Sequence, residues 1–240
     1  MRTILVINSK GGCGKTTVTT NLASYYAATG VKVAIMDYDP QGSSLQWVKT
    51  RPSHLAKIHT ANAVRQASQA LISMQKWIPK DTEMLFVDAP GGVHGLLLQD
   101  IVGRSEMVIV PVTPSAIDIH ATASFLKDLL ITGKIRSRNI KVAVIANRVR
   151  NTMPTYQPLE RFLTSLGLPL LTRIRDSDIY IHAAETGMGV FEMEPETSVP
   201  ERQEFLPIIK WVDGNIAPYP TEADLRVRQP TAIIRRLVAV

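Results

Sequence analysis

Between positions 9 and 17 the chain reads Ser9-Lys10-Gly11-Gly12-Cys13-Gly14-Lys15-Thr16-Thr17, which sets three glycines, two lysines and two adjacent hydroxyls directly after an apolar run. Glycines let successive backbone N–H groups turn toward one centre, and a helix starting at such a loop adds the positive end of its dipole. That combination suits phosphate. Lys15 is placed to reach the β- and γ-phosphates of a nucleotide, and the Thr16 hydroxyl to bind Mg²⁺, while Gly11, Gly12, Cys13, Gly14 and Thr17 complete the cradle. The usual form, G-x-x-x-x-G-K-[ST], has glycine at the first position; here Ser9 stands there and an extra lysine, Lys10, follows it. Cys13 is read as a small tolerated residue and not as a nucleophile, because no histidine lies near it in the motif.

Carboxylates follow two later apolar runs. In Asp37-Tyr38-Asp39-Pro40-Gln41-Gly42-Ser43, Pro40 ends a strand and Gly42 supplies a turn. Both carboxylates then sit at the carboxyl edge of the sheet, where open α/β folds bind ligands; an ordinary Asp-Pro turn is the plainer alternative. In Leu85-Phe86-Val87-Asp88-Ala89-Pro90-Gly91-Gly92 an apolar strand delivers one acid. Beside a phosphate loop such an acid holds Mg²⁺ through water, and the Gly-Gly turn after it suits a segment that moves with the γ-phosphate. Val144-Ile145-Ala146-Asn147-Arg148 ends another strand in an amide, which can pair with both the donor and the acceptor of an adenine edge. A merely strand-terminating asparagine is the alternative there.

The elements that must position these groups alternate. Strand-like runs, rich in Val, Ile and Leu with little polar alternation, fall at 3–8, 32–37, 83–88, 106–112 and 140–147. Helical patterns fall between them at 14–29, 62–77, 115–131 and 155–166, with Gly30 and Gly167 as stops after the first and last. The rhythm predicts an α/β fold, a doubly wound, mostly parallel sheet with helices on both faces. Beyond Val190 the composition turns acidic and proline-containing. A helix is expected around 202–212, with 213–230 as an extended connection, so the chain divides into a domain at 1–212 and a tail at 213–240.

With 240 residues, 45% hydrophobic and 20% charged, the chain fits one globular domain. No apolar run reaches the roughly 18 residues of a spanning helix, and no charged leader precedes the first strand. One cysteine excludes an internal disulfide and suits a reducing compartment. The net charge of +6 permits an acidic partner. Between Asp128 and Glu160 every charged residue is basic: Lys134, Arg136, Arg138, Lys141, Arg148 and Arg150. A solvated strand edge is the plainer account of that cluster.

The loop with its early lysine resembles the deviant Walker A motif of the ParA/MinD ATPases, and the resemblance runs over about residues 1–212, nearest to small ParA proteins of the ParF type. It implies a P-loop ATPase using ATP and Mg²⁺, slow on its own and stimulated by a partner. By it, Lys10 crosses to the nucleotide of a second subunit, so that ATP is sandwiched in a homodimer. Catalysis then rests on Lys10, Lys15 and Asp39, which orients the attacking water. The metal lies near Thr16, Asp37 and Asp88, and Asn147 with Arg148 contacts the base. Val110-Pro111-Val112-Thr113-Pro114-Ser115, with Asp118 after it, also looks like a family segment. The resemblance further implies non-specific DNA and a ParB-like or cargo-adaptor protein as partners, and a cytoplasmic, nucleoid-associated protein. A MinD-like membrane switch is the rival. Residues 232–240 could form a short amphipathic helix, with Ile233, Ile234, Leu237, Val238 and Val240 on one side and Arg235 and Arg236 opposite, although a helix docked on its own domain would show the same pattern. Among metabolic relatives of this fold, nitrogenase-like reductases need more cysteine than this chain has. Amidoligases share the fold too, but Asp39-Pro40-Gln41 favours ParA.

Overall fold

The computed structural model describes residues 1–64, 77–113, 116–135, 137–150, 161–165 and 167–216. The elements are β1 (Arg2–Val6), α1 (Lys15–Ala28), β2 (Val33–Asp37), α2 (Ser43–Thr50), β3 (His59–Asn62), β4 (Met84–Asp88), α3 (Gly95–Gly103), β5 (Met107–Val112), α4 (Ala116–Thr132), β6 (Lys141–Val149), β7 (Leu170–Arg175), α5 (Asp178–Thr186) and α6 (Pro195–Asn215). The strands form one sheet in the order β3-β2-β4-β1-β5-β6-β7, and every pairing is parallel. This is the doubly wound architecture that the alternating apolar runs predict.

The strands carry so little polar alternation because both faces of the sheet are covered. Leu5, Ala34, Met36, Leu85, Val87, Val108, Val110 and Val144 pack on one face with Leu98, Ile101 and Val102 of α3 and Phe125, Leu126 and Leu129 of α4. Their strand neighbours Ile4, Val6, Val33, Ile35, Met84, Phe86 and Ile109 point the other way, against Val18, Leu22 and Tyr26 of α1, Trp47 of α2 and Phe205, Ile208 and Val212 of α6. At about 25 cal/mol per Å² of apolar surface removed from water, these two layers supply the main driving force for the fold.

Five elements go beyond the sequence expectations. β3 has one buried residue in four and β7 one in six, so neither shows an apolar run. α2, α3 and α5 are eight or nine residues long and bury few side chains. The helix expected at 202–212 extends over Pro195–Asn215, with Ser198 at φ −131° marking a kink near its start. It therefore enters the region expected to be extended: Tyr26 Oη donates to Asp213 Oδ1 at 2.8 Å and holds the helix end against α1. Of the helix expected at 62–77, Asn62 belongs to β3 and 65–76 lie outside the described residues. Of that expected at 155–166, 161–165 are helical and the rest lie outside them, as do Pro114, Ser115, Arg136 and the tail from 217 to 240. Among the described residues no helix is long and apolar enough to cross a membrane.

Candidate nucleotide site

Because all seven strands run in parallel, their carboxyl ends meet at one edge. There the register sets Val6 of β1 beside Asp88 of β4, and Asp88 beside Asp37 of β2. The loop of residues 9–14 leaves β1 at this edge and leads into α1. Gly14 is left-handed, at φ 89°, and a Cβ there would lie 2.0 Å from Asn147 Nδ2. Any side chain at position 14 would thus collide with the residue beneath the loop. Ser9 is not among the residues of positive φ, so the conformation here makes no demand for the glycine of the usual motif.

No side chain caps α1, and its first turn holds no acidic residue. Its leading N–H groups are thereby left for an external acceptor, the arrangement that favours an anion. By contrast, Ser177 caps α5 by accepting from Ile179 N. Lys15 is nearly buried, at 8% exposure, and its ammonium donates to the Lys10 carbonyl at 3.1 Å. The Cys13 thiol donates to that same carbonyl at 3.3 Å. Burial pushes the thiol pKa up, consistent with an inert small residue in the loop. The Lys10 side chain lies on the exposed rim.

Beneath the loop, Asn8 Nδ2 donates to Pro111 O at 2.8 Å and to Thr122 Oγ1 at 3.3 Å, while its Oδ1 accepts from Lys10 N at 3.2 Å. Asn147, 3% exposed, donates to Cys13 O at 2.7 Å. The amide read in sequence as a base contact props the loop from below. Arg148, at φ 56°, reaches Gly12 O at 3.4 Å and Asp176 Oδ1 at 3.3 Å. Asp176 is shared with Arg150, whose Nη2 lies 2.8 Å from Oδ2.

The acids differ in their surroundings. Asp37 is fully buried and satisfied: its oxygens accept from Asp39 N at 2.8 Å, from Ser44 N at 3.2 Å and from Ser44 Oγ at 2.6 Å. Asp39 is half-buried on the β2–α2 connection and accepts from Gln41 N at 2.9 Å. Asp88 accepts from Thr16 Oγ1 at 2.8 Å, but its other oxygen, Oδ1, is buried without a partner. Burial, with the Asp37 charge adding to it, pushes the Asp88 carboxyl up to about 7 against the pull of the Thr16 hydroxyl. An orphaned carboxylate oxygen beside a threonine hydroxyl and a second buried acid is a hard oxygen set, the kind Mg²⁺ takes together with substrate phosphates. Thr16 and Asp88 fit that ion, with Asp37, whose oxygens are already satisfied, adding its charge nearby. Bound there, it would offset the two negative charges and supply Lewis-acid stabilisation of phosphate charge.

Ser44 and Asn8 are the residues that the sequence reading passed over. Asn8 carries a visible signal, a polar residue closing an apolar run; Ser44 carries none, since it lies in a helix too short to show a pattern.

Asp88→Asn keeps the acceptor for Thr16 and removes the charge. In the parent, a carboxyl whose pKa is raised by folding contributes stability below its unfolded value, which is lost as pH rises through about 7. In thermal melts without nucleotide at pH 8, the variant is therefore expected to be more stable than the parent by about 2–4 kcal/mol. The difference should vanish near pH 4. Added Mg²⁺ and ATP should stabilise the parent more than the variant.

A parallel sheet with a glycine loop between its central strand and the next helix, and two acids at the ends of neighbouring strands, defines the P-loop nucleotide-hydrolase fold. The family described as the CobQ/CobB/MinD/ParA nucleotide binding domain matches residues 4–190, and the chain belongs to it. It is 24% identical over 196 residues to the maintenance of carboxysome distribution protein A of Halothiobacillus neapolitanus, covering 80% of this chain and 87% of that one. To the protein ParA of Rhizobium radiobacter it is 24% identical over 159 residues, covering 65% and 69%. Among solved structures it resembles the ATP complex of a Cyanothece McdA aspartate-to-alanine variant, with a TM-score of 0.69, 16% identity, and 92% of this chain and 99% of that one covered. It also resembles the MinD cell division protein of Aquifex aeolicus, with a TM-score of 0.65, 16% identity, and coverage of 92% and 100%.

Proposed function

We propose that this chain is an ATP-driven positioning switch: an ATP-bound homodimer that holds non-specific DNA, and an ADP or nucleotide-free monomer that is released. Hydrolysis is slow until a ParB-like or cargo-adaptor protein stimulates it, and the cycle segregates or positions DNA or a protein cargo in the cytoplasm, over the nucleoid. The observation that carries the reading is the pair of lysines, Lys15 inside the loop and Lys10 on its exposed rim. A rim lysine can reach a nucleotide held by a second copy, where a cation neutralises charge developing on the transferred phosphoryl group. In this reading Asn147 and Arg148 lie beside the base. The relatives that match over most of the chain, named for carboxysome distribution and as ParA, support a positioning role.

The basic residues divide between the two edges of the sheet. Lys134, Arg138 and Lys141 precede or begin β6, whereas Arg148 and Arg150 follow its inner stretch; the nine residues of this strand span about 25–30 Å. β7, the last strand of the sheet, sets Arg173 beside Ala146 and Arg175 beside Val149. Arg148, Arg150, Arg173 and Arg175 thus share the carboxyl end of one sheet edge. Surface ion pairs, such as those of Arg150 with Asp176 and Arg175 with Glu204, are weak and exchange readily for phosphate.

The test is a shift assay on random-sequence duplex with ATP and Mg²⁺. Binding should require ATP, and its log–log salt slope should be about −5 to −6 if Arg150, Arg173 and Arg175 of both subunits each displace one counterion. Lys10→Ala should lose both ATP-dependent dimerisation, followed by light scattering, and DNA binding. Pelleting with anionic vesicles in ATP, together with no DNA binding at low salt, would transfer the reading to a membrane switch.

A further inference from the structure

A buried ion pair ties the end of α2 to a distant part of the chain. Arg51 ends α2, and Glu192 lies 141 residues later, between α5 and α6. Their side chains are 5% and 3% exposed. Both terminal nitrogens of Arg51 are engaged by the two oxygens of Glu192, and the rest of each group is satisfied as well. Arg51 Nε donates to Ala56 O at 2.9 Å, Arg51 Nη1 to Gly187 O at 3.2 Å, and Glu192 Oε2 accepts from Gly189 N at 2.9 Å.

Trp47, one turn earlier, lies under the same guanidinium at 5.4 Å and donates from Nε1 to Ala183 O of α5 at 3.2 Å. Gly187 is left-handed, at φ 66°, and a Cβ there would come within 2.5 Å of Arg51 N, so the two backbones touch. The receiving segment is itself fixed to α1. Val190 N donates to Asn21 Oδ1 at 2.8 Å, and a Cβ on Gly189 would strike Ser24 Oγ at 1.8 Å.

We propose that Arg51 and Glu192 are positioning residues for ATP turnover: their bidentate clasp fixes α2, and with it the segment carrying Asp39, relative to α1 and the phosphate loop. Side-chain contacts pin both ends of α2, with the Trp47–Ala183 bond between them. At its start Ser44 binds Asp37, and at its end stands the clasp. Asp39 lies on the short connection just before the first anchor, where Gly42 N donates to Asp39 O at 2.9 Å and Gln46 N to Gly42 O at 2.9 Å. A planar fork gripping a carboxylate fixes direction as well as distance, which a single charge contact does not. Loosening the far end lets α2 pivot about Ser44 and shifts the connection that carries Asp39 relative to the loop. Phosphate binding, which depends on the loop itself, is left in place.

The inference rests on the ATPase reading, and the experiment separates the two. Glu192→Gln keeps the acceptor for Gly189 N while removing the charge; Arg51→Lys keeps the charge while removing the fork. For the folded fraction at 25 °C, both should retain ATP affinity within about twofold and lose turnover by about tenfold, since small misplacement of a catalytic group has effects of this order. Hydrogen exchange at the amides of 43–50 should accelerate in both variants, with exchange in β1 and β4 unchanged. Parental turnover in Glu192→Gln, parental protection of 43–50, or affinity and turnover falling together with faster exchange throughout the sheet would each overturn the clasp as a positioning device. No turnover by the parent chain, with or without DNA, would remove the ATPase reading instead, and the exchange pattern would still decide whether the clasp holds α2.

Discussion

Lys15→Ala is expected to lower ATP affinity by roughly a hundredfold or more, measured by calorimetry or a fluorescent ATP analogue. The side chain is nearly buried, and its ammonium is turned inward to the Lys10 carbonyl. A charge-assisted contact to phosphate contributes about 1.5–3 kcal/mol, and Lys15 is placed for more than one. Folding should survive the change. The carbonyl that Lys15 leaves still accepts from the Cys13 thiol, and the alanine removes a charge that burial disfavours. An alanine variant that bound ATP as tightly as the parent would show that the nucleotide lies elsewhere.

Asp39→Ala should separate binding from hydrolysis. Asp39 sits outside the loop and its carboxylate makes one local contact, to Gln41 N, so its loss leaves the phosphate cradle intact. Orientation of the attacking water contributes about 10²–10⁴-fold to rate. The expected result is ATP affinity within a few-fold of the parent and turnover reduced by at least about a hundredfold, with the ATP-bound form accumulating. Normal hydrolysis would mean that another group orients the water.

How much of this was legible in sequence depended on burial. β1, β2, β4, β5 and β6 announce themselves because both faces are covered, and α1 and α4 because they are long. β3 and β7 lie at the ends of the sheet and bury too little to leave a pattern. The site divides the same way. Lys15, Thr16, Asp37 and Asp88 stand in local motifs whose spacing carries their chemistry, and the structure gathers them at one edge of the sheet. The Arg51–Glu192 pair is joined only by folding, across 141 residues, and no local spacing reveals it; Ser44 meets Asp37 seven residues away, in a helix too short to show a pattern. The basic stretch is the opposite case. Its residues are close in sequence, but a strand carries Arg148 and Arg150 far from Lys134, so one run of charge becomes two separate surfaces.

The contact between the Lys15 ammonium and the Lys10 carbonyl makes nucleotide entry an exchange and not a capture. An incoming phosphate has to compete with a tether that the loop supplies from its own backbone. The Lys15 ammonium thereby has a polar partner within its own loop, and affinity for phosphate is lowered by the contact displaced. The tether ends on the residue that also bears the rim lysine, whose peptide keeps its contacts to Cys13 and Asn8 when Lys15 turns away. One carbonyl therefore serves both the lysine inside the loop and the thiol beside it.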